Sequence, residues 1–339
     1  MMKSLISSPY THGDSSLQQV MLQVVFALIP AIGIHFWFFG WGIITNILLA
    51  TLFCLGFEAI VMWLRRRPIQ TTLFDGSALV TAVLLAITIP PLSPWWLILV
   101  GSLAAIVFAK QIYGGLGFNP FNPAMIGFVV LLISFPKEMT QWVAPIANGE
   151  QGIGLMQSLQ IVFGSTGLDA LTGATPLDAL KTGIRMGGEV SGVMAATPIY
   201  GQFAGFGWES VNLAILAGGL WMLWRKTIRW HVPVAMLGSL AAISTLFYLI
   251  DPSRYADPIF HLLGGGAILG AFFIATDPVS GATSTKGRII FGIGIGLFTY
   301  IIRSWGGYPD GVAFGILLMN MAAPMIDYYT QPKVFGQKG

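Results

Sequence analysis

Apolar segments recur along this sequence so regularly that membrane-crossing helices become the expected fold. A helix needs about 20 mostly apolar residues to cross a bilayer, and fewer when it is a half-helix buried in protein. Ten segments qualify, and several are short and bounded by proline or glycine, as in broken helices that line a site within the membrane. They are residues 20–39, 41–64, 78–89, 95–109, 124–135, 211–224, 234–250, 259–276, 289–302 and 312–326.

The scarcity of charge agrees with this interpretation. Only 9% of the 339 residues are charged and 55% are hydrophobic, whereas a soluble domain has about 25% charged residues. So little charge does not cover a water-facing surface of ordinary size. The net charge of +3 is too small to indicate nucleic-acid binding, so we expect the lipid membrane, and no nucleic acid, as a partner.

The basic residues predict the orientation. The first 18 residues are polar and lack the apolar core of a signal peptide, so we place the N-terminus in the cytoplasm. Alternating the ten spans then puts 12 of the 17 basic residues inside, as the positive-inside rule requires. The sequence thus predicts a multi-pass protein of a bacterial inner membrane with both termini cytoplasmic. The five basic residues predicted outside are Lys137, Lys181, Arg185, Arg254 and Arg303.

Internal similarity divides the chain into two halves. The pair Gly114-Gly115 corresponds to Gly306-Gly307, and each half holds five predicted spans. Because five is odd, the second copy would be inverted relative to the first, as in transport-type folds. We therefore expect an all-α membrane protein of two inverted five-span repeats with one long periplasmic loop. The predicted parts are a cytoplasmic segment 1–19, a first repeat 20–135, a periplasmic loop 136–209, a second repeat 210–326 and a cytoplasmic tail 327–339.

The long loop contains a motif with a chemical meaning. Asp169, Thr172, Gly173, Ala174 and Thr175 fit the pattern D-x-x-[ST]-G-A-[ST], which resembles the site where a flavin transferase attaches FMN to the final threonine through a phosphoester. The ester would tether the ribityl phosphate and leave the ring free for redox work. The same residues also read as a plain helix start, with threonine as N-cap, proline first and an acid third. The two interpretations are compatible.

A second match to the pattern ends at Thr283. The predicted orientation places Thr283 inside, beside Lys286 and Arg288, whereas the transferase works on the outer face. We therefore expect Thr175 to carry the flavin and Thr283 to belong to a re-entrant loop. Its basic neighbours are candidates for holding an anion, such as the phosphate of a second, non-covalent flavin.

Three stretches carry a family resemblance that extends over essentially the whole chain: KQIYGGLGFNPFNPAMIGF, FFIATDPVSGATSTKGRIIFG and IIRSWGGYPDGVAFGILLMNMAAPMIDYYTQPKVFG. They resemble the D subunits of Rnf complexes, the ion-translocating ferredoxin:NAD⁺ oxidoreductases, and are similar to the B subunit of the sodium-pumping NADH:quinone reductase. The resemblance implies covalent FMN on Thr175, a six-subunit complex whose other members bring iron–sulfur clusters and nucleotide sites, and a fold similar to urea transporters.

The resemblance favours a flavin-bearing subunit of a translocase, without a complete active site of its own, in a complex that couples electron transfer to sodium or proton movement. Glu58 lies within the second predicted span and is either a paired buried group or part of an ion path. A small-solute channel or carrier without covalent flavin remains an alternative, as does a purely structural assembly subunit.

Overall fold

A computed structural model describes residues 17–146, 152–164 and 172–331. These ranges are mostly helical. The first part contains α1 (Leu17–Phe39), α2 (Gly42–Leu64), α3 (Ile69–Leu73), α4 (Ser77–Thr88), α5 (Trp95–Leu103) continued by a π-helical segment (Ala104–Gln111), and α6 (Pro123–Ser134). The middle contains α7 (Pro136–Thr140), β1 (Trp142–Val143), α8 (Leu155–Gly164), β2 (Thr172–Gly173), α9 (Pro176–Arg185) and α10 (Val190–Ala196). The last part contains α11 (Trp208–Trp224), α12 (His231–Ile250), α13 (Pro258–Leu263), α14 (Ala267–Leu269) with a π-helical segment (Gly270–Ile274), α15 (Thr285–Trp305) and α16 (Val312–Thr330).

Five helices in the described ranges are long and apolar enough to cross a membrane, namely α1, α2, α12, α15 and α16. Each of the ten predicted segments contains helix, but segment 259–276 is not one continuous helix. Gly264, Gly265 and Gly266 separate α13 from α14, because glycine stabilises helical backbone poorly. The ten-span count, the inverted repeats and the domain boundaries stay predictions, and most of segment 1–19 and of tail 327–339 lies outside the described residues.

The long segment 136–209 has structure of its own. Strands β1 and β2 pair in antiparallel fashion, with Trp142 opposite Gly173 and Val143 opposite Thr172. Helix α8 is a short apolar helix that the sequence pattern did not predict. Helices α9 and α10 contribute Leu177, Leu180 and Val190 to a small second core, which Phe260 of α13 also joins. The predicted loop is thus a set of short packed elements in its described parts.

Glycines allow close contact between the long helices. A Cβ added at Gly218 of α11 would lie 2.1 Å from the carbonyl oxygen of Ala27 in α1. A Cβ at Gly296 of α15 would lie 2.4 Å from the carbonyl oxygen of Met236 in α12. Small residues at such positions let helix backbones approach, which gives packing energy where no hydrophobic effect drives association. The first helix of the chain therefore packs directly on α11 from the later part.

Two buried asparagines join the two halves of the chain. The backbone N–H of Asn122 donates to the side-chain oxygen of Asn320 at 3.2 Å, and the side-chain amide of Asn320 donates to the backbone carbonyl of Ser280 at 2.9 Å. The side chain of Asn122 also caps α6 by accepting from Met125 N–H, and its amide reaches the carbonyl of Ile274. Helices break before α6 and after the second π-helical segment, and these breaks leave backbone groups without helical partners. The two asparagines supply hydrogen-bond partners for those groups.

We expect Asn320→Leu to lower the free energy of unfolding by about 2–5 kcal/mol, because it leaves two buried backbone groups without partners. Chemical unfolding in mixed micelles measures this change. The matched control is Met321→Leu on the same helix, since Met321 is 67% exposed and its replacement should change stability by less than about 0.5 kcal/mol. Equal stability of the two variants would contradict the role assigned to Asn320.

Candidate functional site

Thr175 begins helix α9 and is its N-cap. Its backbone is extended (φ −70°, ψ 160°), and its hydroxyl oxygen accepts a hydrogen bond from Asp178 N–H at 3.3 Å. Pro176 occupies the first helical position, where its missing N–H removes no hydrogen bond. The predicted helix start is therefore confirmed. Whether Thr175 also carries a flavin stays a prediction.

The rest of the motif leads into this cap. Thr172 and Gly173 form β2 and are held by their pairing with β1, while Gly173 and Ala174 are exposed. Among the described residues the approach to the cap is open, since a Cβ built at Gly173 meets no atom within 4 Å. Asp169 lies outside the described residues.

Two cations fasten α9 to the turn between α15 and α16. Lys181 donates to the carbonyl of Ile302 at 3.0 Å and to that of Tyr308 at 2.6 Å. Arg185 donates to the carbonyl of Gly306 at 2.7 Å. The carbonyl of Ile302 already accepts from Gly306 N–H, whereas the carbonyls of Gly306 and Tyr308 lie beyond the last residue of α15 and receive no helical hydrogen bond within the described residues. The position of Thr175 relative to α15 and α16 therefore depends on Lys181 and Arg185.

A cleft opens beside Thr175. It has a volume of about 150 Å³ and runs from α9 inward between α1, α6, α11 and the glycine-rich break before α14. Most of the wall is apolar, and a few polar groups converge on it, as is usual for ligand sites. The wall includes Thr88, Trp142, Thr175, Asp178, Trp208, Asn212 and Asp310.

Aromatic rings connect the mouth of the cleft with its interior. The ring of Trp142 contacts that of Trp208 (centroids 4.7 Å apart), Trp208 contacts Phe39 (4.9 Å), and Phe39 contacts His35 (4.6 Å). His35 lines the cleft and is 2% exposed, and neither of its ring nitrogens has a hydrogen-bond partner within the described residues. A buried imidazole without partners is available to a polar group that enters the cleft.

These residues fit a phosphate-linked flavin. The candidate attachment oxygen is at the N-terminus of a ten-residue helix, where backbone dipoles favour an anion. Trp142 and Trp208 present the kind of flat apolar surface on which an aromatic ring stacks. The unpartnered nitrogens of His35 would supply a polar contact deeper in the cleft.

The charges around α9 are partly desolvated. Burial raises the pKa of the Asp178 carboxyl, although the Lys181 and Arg185 cations act in the opposite direction. Burial, and next the Arg185 cation, lower the pKa of Lys181 to about 8. At Asp310 burial alone would raise the pKa, but the Arg303 cation and hydrogen bonds from Gly266 and Val312 N–H bring it below its usual value.

The second motif has a different environment. The backbone N–H groups of Thr283 and Ser284 donate to the carboxylate of Asp327, at 2.9 and 3.4 Å respectively. Ser284, not Thr283, is the N-cap of α15. Lys286 is exposed, and Arg288 donates to the carbonyl of Ala282 at 3.3 Å. A carboxylate of the chain itself thus occupies the position where an anion would bind, and a flavin at Thr283, Lys286 and Arg288 stays a prediction.

Glu58 is completely buried and forms an ion pair with Lys110 at 2.5 Å. Gln111 donates to the same carboxylate oxygen at 2.8 Å, and Lys110 also donates to Ser77. The paired-group interpretation of Glu58 is confirmed, and a role in an ion path stays a prediction.

Lys110 is 1% exposed and Arg303 is 4% exposed. The predicted cytoplasmic and outer faces thus each lose one basic residue from their surfaces. The cytoplasmic face still carries more basic residues than the outer face.

Sequence reasoning missed several residues that build the site. Lys181, Arg185 and Arg303 were predicted only as loop charges, and His35 and Trp142 were not identified. The sequence does indicate that Lys110 is a special residue, because a lysine directly after an apolar segment lies close to the membrane interior. For Lys181 no local signal existed, because its carbonyl partners lie more than 100 positions away.

Comparison with known proteins gives consistent results. The sequence pattern of the NQR2, RnfD, RnfE family matches residues 4–336. A curated protein of Shigella dysenteriae serotype 1, named as the D subunit of an ion-translocating oxidoreductase complex, is 50% identical over an alignment of 347 positions that covers 98% of both chains. Proteins of Escherichia coli strains SMS-3-5 and SE11 bear the same name and show the same identity and coverage.

We expect Lys110→Met to lower the free energy of unfolding by about 3–5 kcal/mol, because it leaves the Glu58 carboxylate buried without its cation. The double variant Glu58→Gln/Lys110→Met should recover most of this loss. Chemical unfolding in mixed micelles measures both, and Lys286→Met at an exposed lysine is the matched control. A double variant as unstable as the sum of its single changes would contradict coupling between the two side chains.

Removing the cations that fasten α9 should loosen that helix. For Lys181→Met and Arg185→Gln, we expect amide hydrogen exchange in α9 to accelerate by roughly tenfold, because a hydrogen bond from a charged donor contributes about 1.5–3 kcal/mol. Mass spectrometry of peptides covering residues 176–185 measures the exchange. Exchange in α12 serves as the internal control, and acceleration throughout the chain would indicate general destabilisation instead.

Proposed function

The chain belongs to the NQR2, RnfD, RnfE family, and from this premise we propose that it is the membrane subunit of an oxidoreductase complex that couples electron transfer to ion translocation. Its 50% identical relatives are named as the D subunit of an ion-translocating oxidoreductase complex, which supports this function. Five helices long and apolar enough to cross a membrane support a membrane location. The chain works as one component of a translocase and shares the reaction with its partner subunits.

The chemical contribution that we propose for this chain is covalent attachment of FMN to Thr175. One observation carries the proposal: the Thr175 hydroxyl caps α9 at the mouth of a cleft lined by aromatic rings. When bound there, the flavin supplies electron-transfer chemistry that no amino-acid side chain provides. The motif from Asp169 to Thr175 is the recognition segment for the flavin transferase.

In this proposal, the residues around Thr175 bind and orient the flavin. The positive end of α9 stabilises the negative charge of the phosphoester. The hydroxyl oxygen accepts from Asp178 N–H, and an ester oxygen at the same place remains an acceptor. Trp142 and Trp208 exclude water from the cleft mouth, and Lys181 and Arg185 keep α9 fixed against the end of α15.

The wider proposal concerns the complex. The chain has ten spans in two inverted five-span repeats of urea-transporter-like architecture, with segment 136–209 in the periplasm and both termini in the cytoplasm of a bacterial inner membrane. It works within a six-subunit Rnf-type complex that exchanges electrons between ferredoxin and NAD and moves sodium ions or protons. Glu58 and a second, non-covalent flavin at Thr283, Lys286 and Arg288 are further parts of this proposal.

Covalent attachment is tested by in-gel fluorescence of the denatured chain, produced together with its flavin transferase. We expect a fluorescent band from the wild type and from Thr175→Ser, which keeps the hydroxyl. Thr175→Asn should give a dark band, because asparagine caps a helix as well as threonine does but is not a phosphoester acceptor. The pair separates loss of the flavin from loss of the helix cap.

Thr283→Ala is the control for the second motif and should remain fluorescent. Fluorescence that survives Thr175→Asn and disappears in Thr283→Ala would overturn both the assignment and the predicted orientation. A dark wild-type band would reject covalent flavin and favour a small-solute channel or carrier. Normal electron transfer in the Thr175→Asn complex would favour a purely structural subunit.

A further inference from the structure

A second cavity lies further along α9, shares Leu177 and Pro309 with the first, and is rich in positive charge. It has a volume of about 250 Å³ and is bounded by α9, by the turn after α12, by α13 and by the end of α15. Among the residues that the structure describes, no acidic side chain lines it. The charged and polar side chains that line it are Lys181, Arg185, Arg254, Tyr255, His261, Arg303 and Ser304.

Two buried side chains of this cavity have polar atoms without partners in the described part of the chain. Arg303 is 4% exposed and pairs with Asp310 through Nε, and its Nη1 donates to the carbonyl of His261, but its Nη2 has no partner in the described ranges. His261 is 7% exposed, and its Nδ1 likewise has none there. Buried polar atoms without partners are rare in folded proteins and call for a ligand.

The outer cations add charge that no salt bridge in the described ranges neutralises, although Asp251 lies within electrostatic reach of Arg254. Within the described residues, Lys181, Arg185 and Arg254 form no salt bridge, and both Arg185 and Arg254 are exposed at the rim. Asp178 and Asp310 are the acids that act on Lys181 from α9 and from the turn after α15. The pKa of Lys181 is nevertheless lowered to about 8, by burial and by the Arg185 cation. Because four basic side chains and no acid of the described residues line the cavity, its potential is positive.

The cavity lies where two candidate membrane helices end. Trp305 is the last residue of α15, and Arg254 follows four residues after α12. Trp305 and Tyr255 belong to an aromatic cluster of the kind that anchors helix ends at the lipid–water interface. Just before the end of α12, Leu246, Leu249 and Ile250 are between 57% and 75% exposed and offer an apolar surface for acyl chains.

We propose that this cavity binds a phosphate group, for which the headgroup of an anionic phospholipid and free inorganic phosphate are the two sources. Arginine forks and a lysine ammonium are the side chains that bind phosphate oxygens best. The apolar surface of α12 favours the lipid. Because Lys181 and Arg185 also fasten α9, the bound anion lies directly against the helix that begins with Thr175.

The test measures binding to the purified intact complex. Dioctanoyl phosphatidylglycerol is titrated in phosphatidylcholine nanodiscs and counted by native mass spectrometry after release, and radiolabelled inorganic phosphate is measured by equilibrium dialysis. We expect Arg254→Glu to weaken binding of the occupying ligand by roughly tenfold, because it replaces a rim cation by an anion. Arg229→Glu, also exposed but at the opposite end of α12, is the matched control and should bind as the wild type does.

The phosphatidylglycerol and the inorganic phosphate experiments together distinguish a lipid headgroup from a free anion. Sensitivity to Arg254→Glu in the phosphatidylglycerol arm alone identifies a lipid headgroup, and sensitivity in the phosphate arm identifies a free anion; either supports the site. Equal affinity of the wild type, Arg254→Glu and Arg229→Glu in both arms overturns the proposal, as does the absence of binding in both arms. In-gel flavin fluorescence of Arg254→Glu should be unchanged, so this test and that of Thr175 fail independently.

Discussion

The structure depends on how backbone polar groups are satisfied where its helices break. A continuous helix in an apolar environment bonds its own N–H and C=O groups, but a broken one exposes them, and each unsatisfied group costs several kcal/mol. Several helices here are short or interrupted, and side chains from distant parts of the chain supply the missing partners. Asn46 donates to the carbonyl of Pro90, and Asn320 donates to that of Ser280.

The candidate site follows from the same constraint. The turn after α15 has carbonyls without helical donors, and Lys181 and Arg185 of α9 donate to those of Tyr308 and Gly306. The segment that carries Thr175 is therefore attached to the helical body through a helix end. The flavin that we propose for Thr175 would need this kind of fixed support, since small displacements of a redox group change its surroundings.

A buried cation forms an ion pair in each of the two parts of the chain. Lys110 pairs with Glu58 in the first part, and Arg303 pairs with Asp310 in the second. Each cation lies near the end of the helix that precedes a Gly-Gly pair, at Gly114-Gly115 and at Gly306-Gly307. The sequence similarity of the halves thus extends to the placement of a buried basic group, although the partners differ. A buried ion pair is weak evidence for stability in itself. Removing one member is nevertheless destabilising, because it leaves the other charge without a partner in an apolar environment.

The sequence by itself determined the features that depend on local composition. Apolar length predicted helices in all ten segments, and Thr175-Pro176 predicted the start of α9, because capping involves residues only three positions apart. Only the tertiary structure decided which distant residues meet. Glu58 contacts Lys110 across 52 positions and Lys181 reaches Ile302 across 121. No local pattern encodes such contacts, since they arise from packing of helices whose order in space is set by the whole chain. The two cavities beside α9 were likewise decided by the tertiary structure, because a cavity is a property of the elements that surround it.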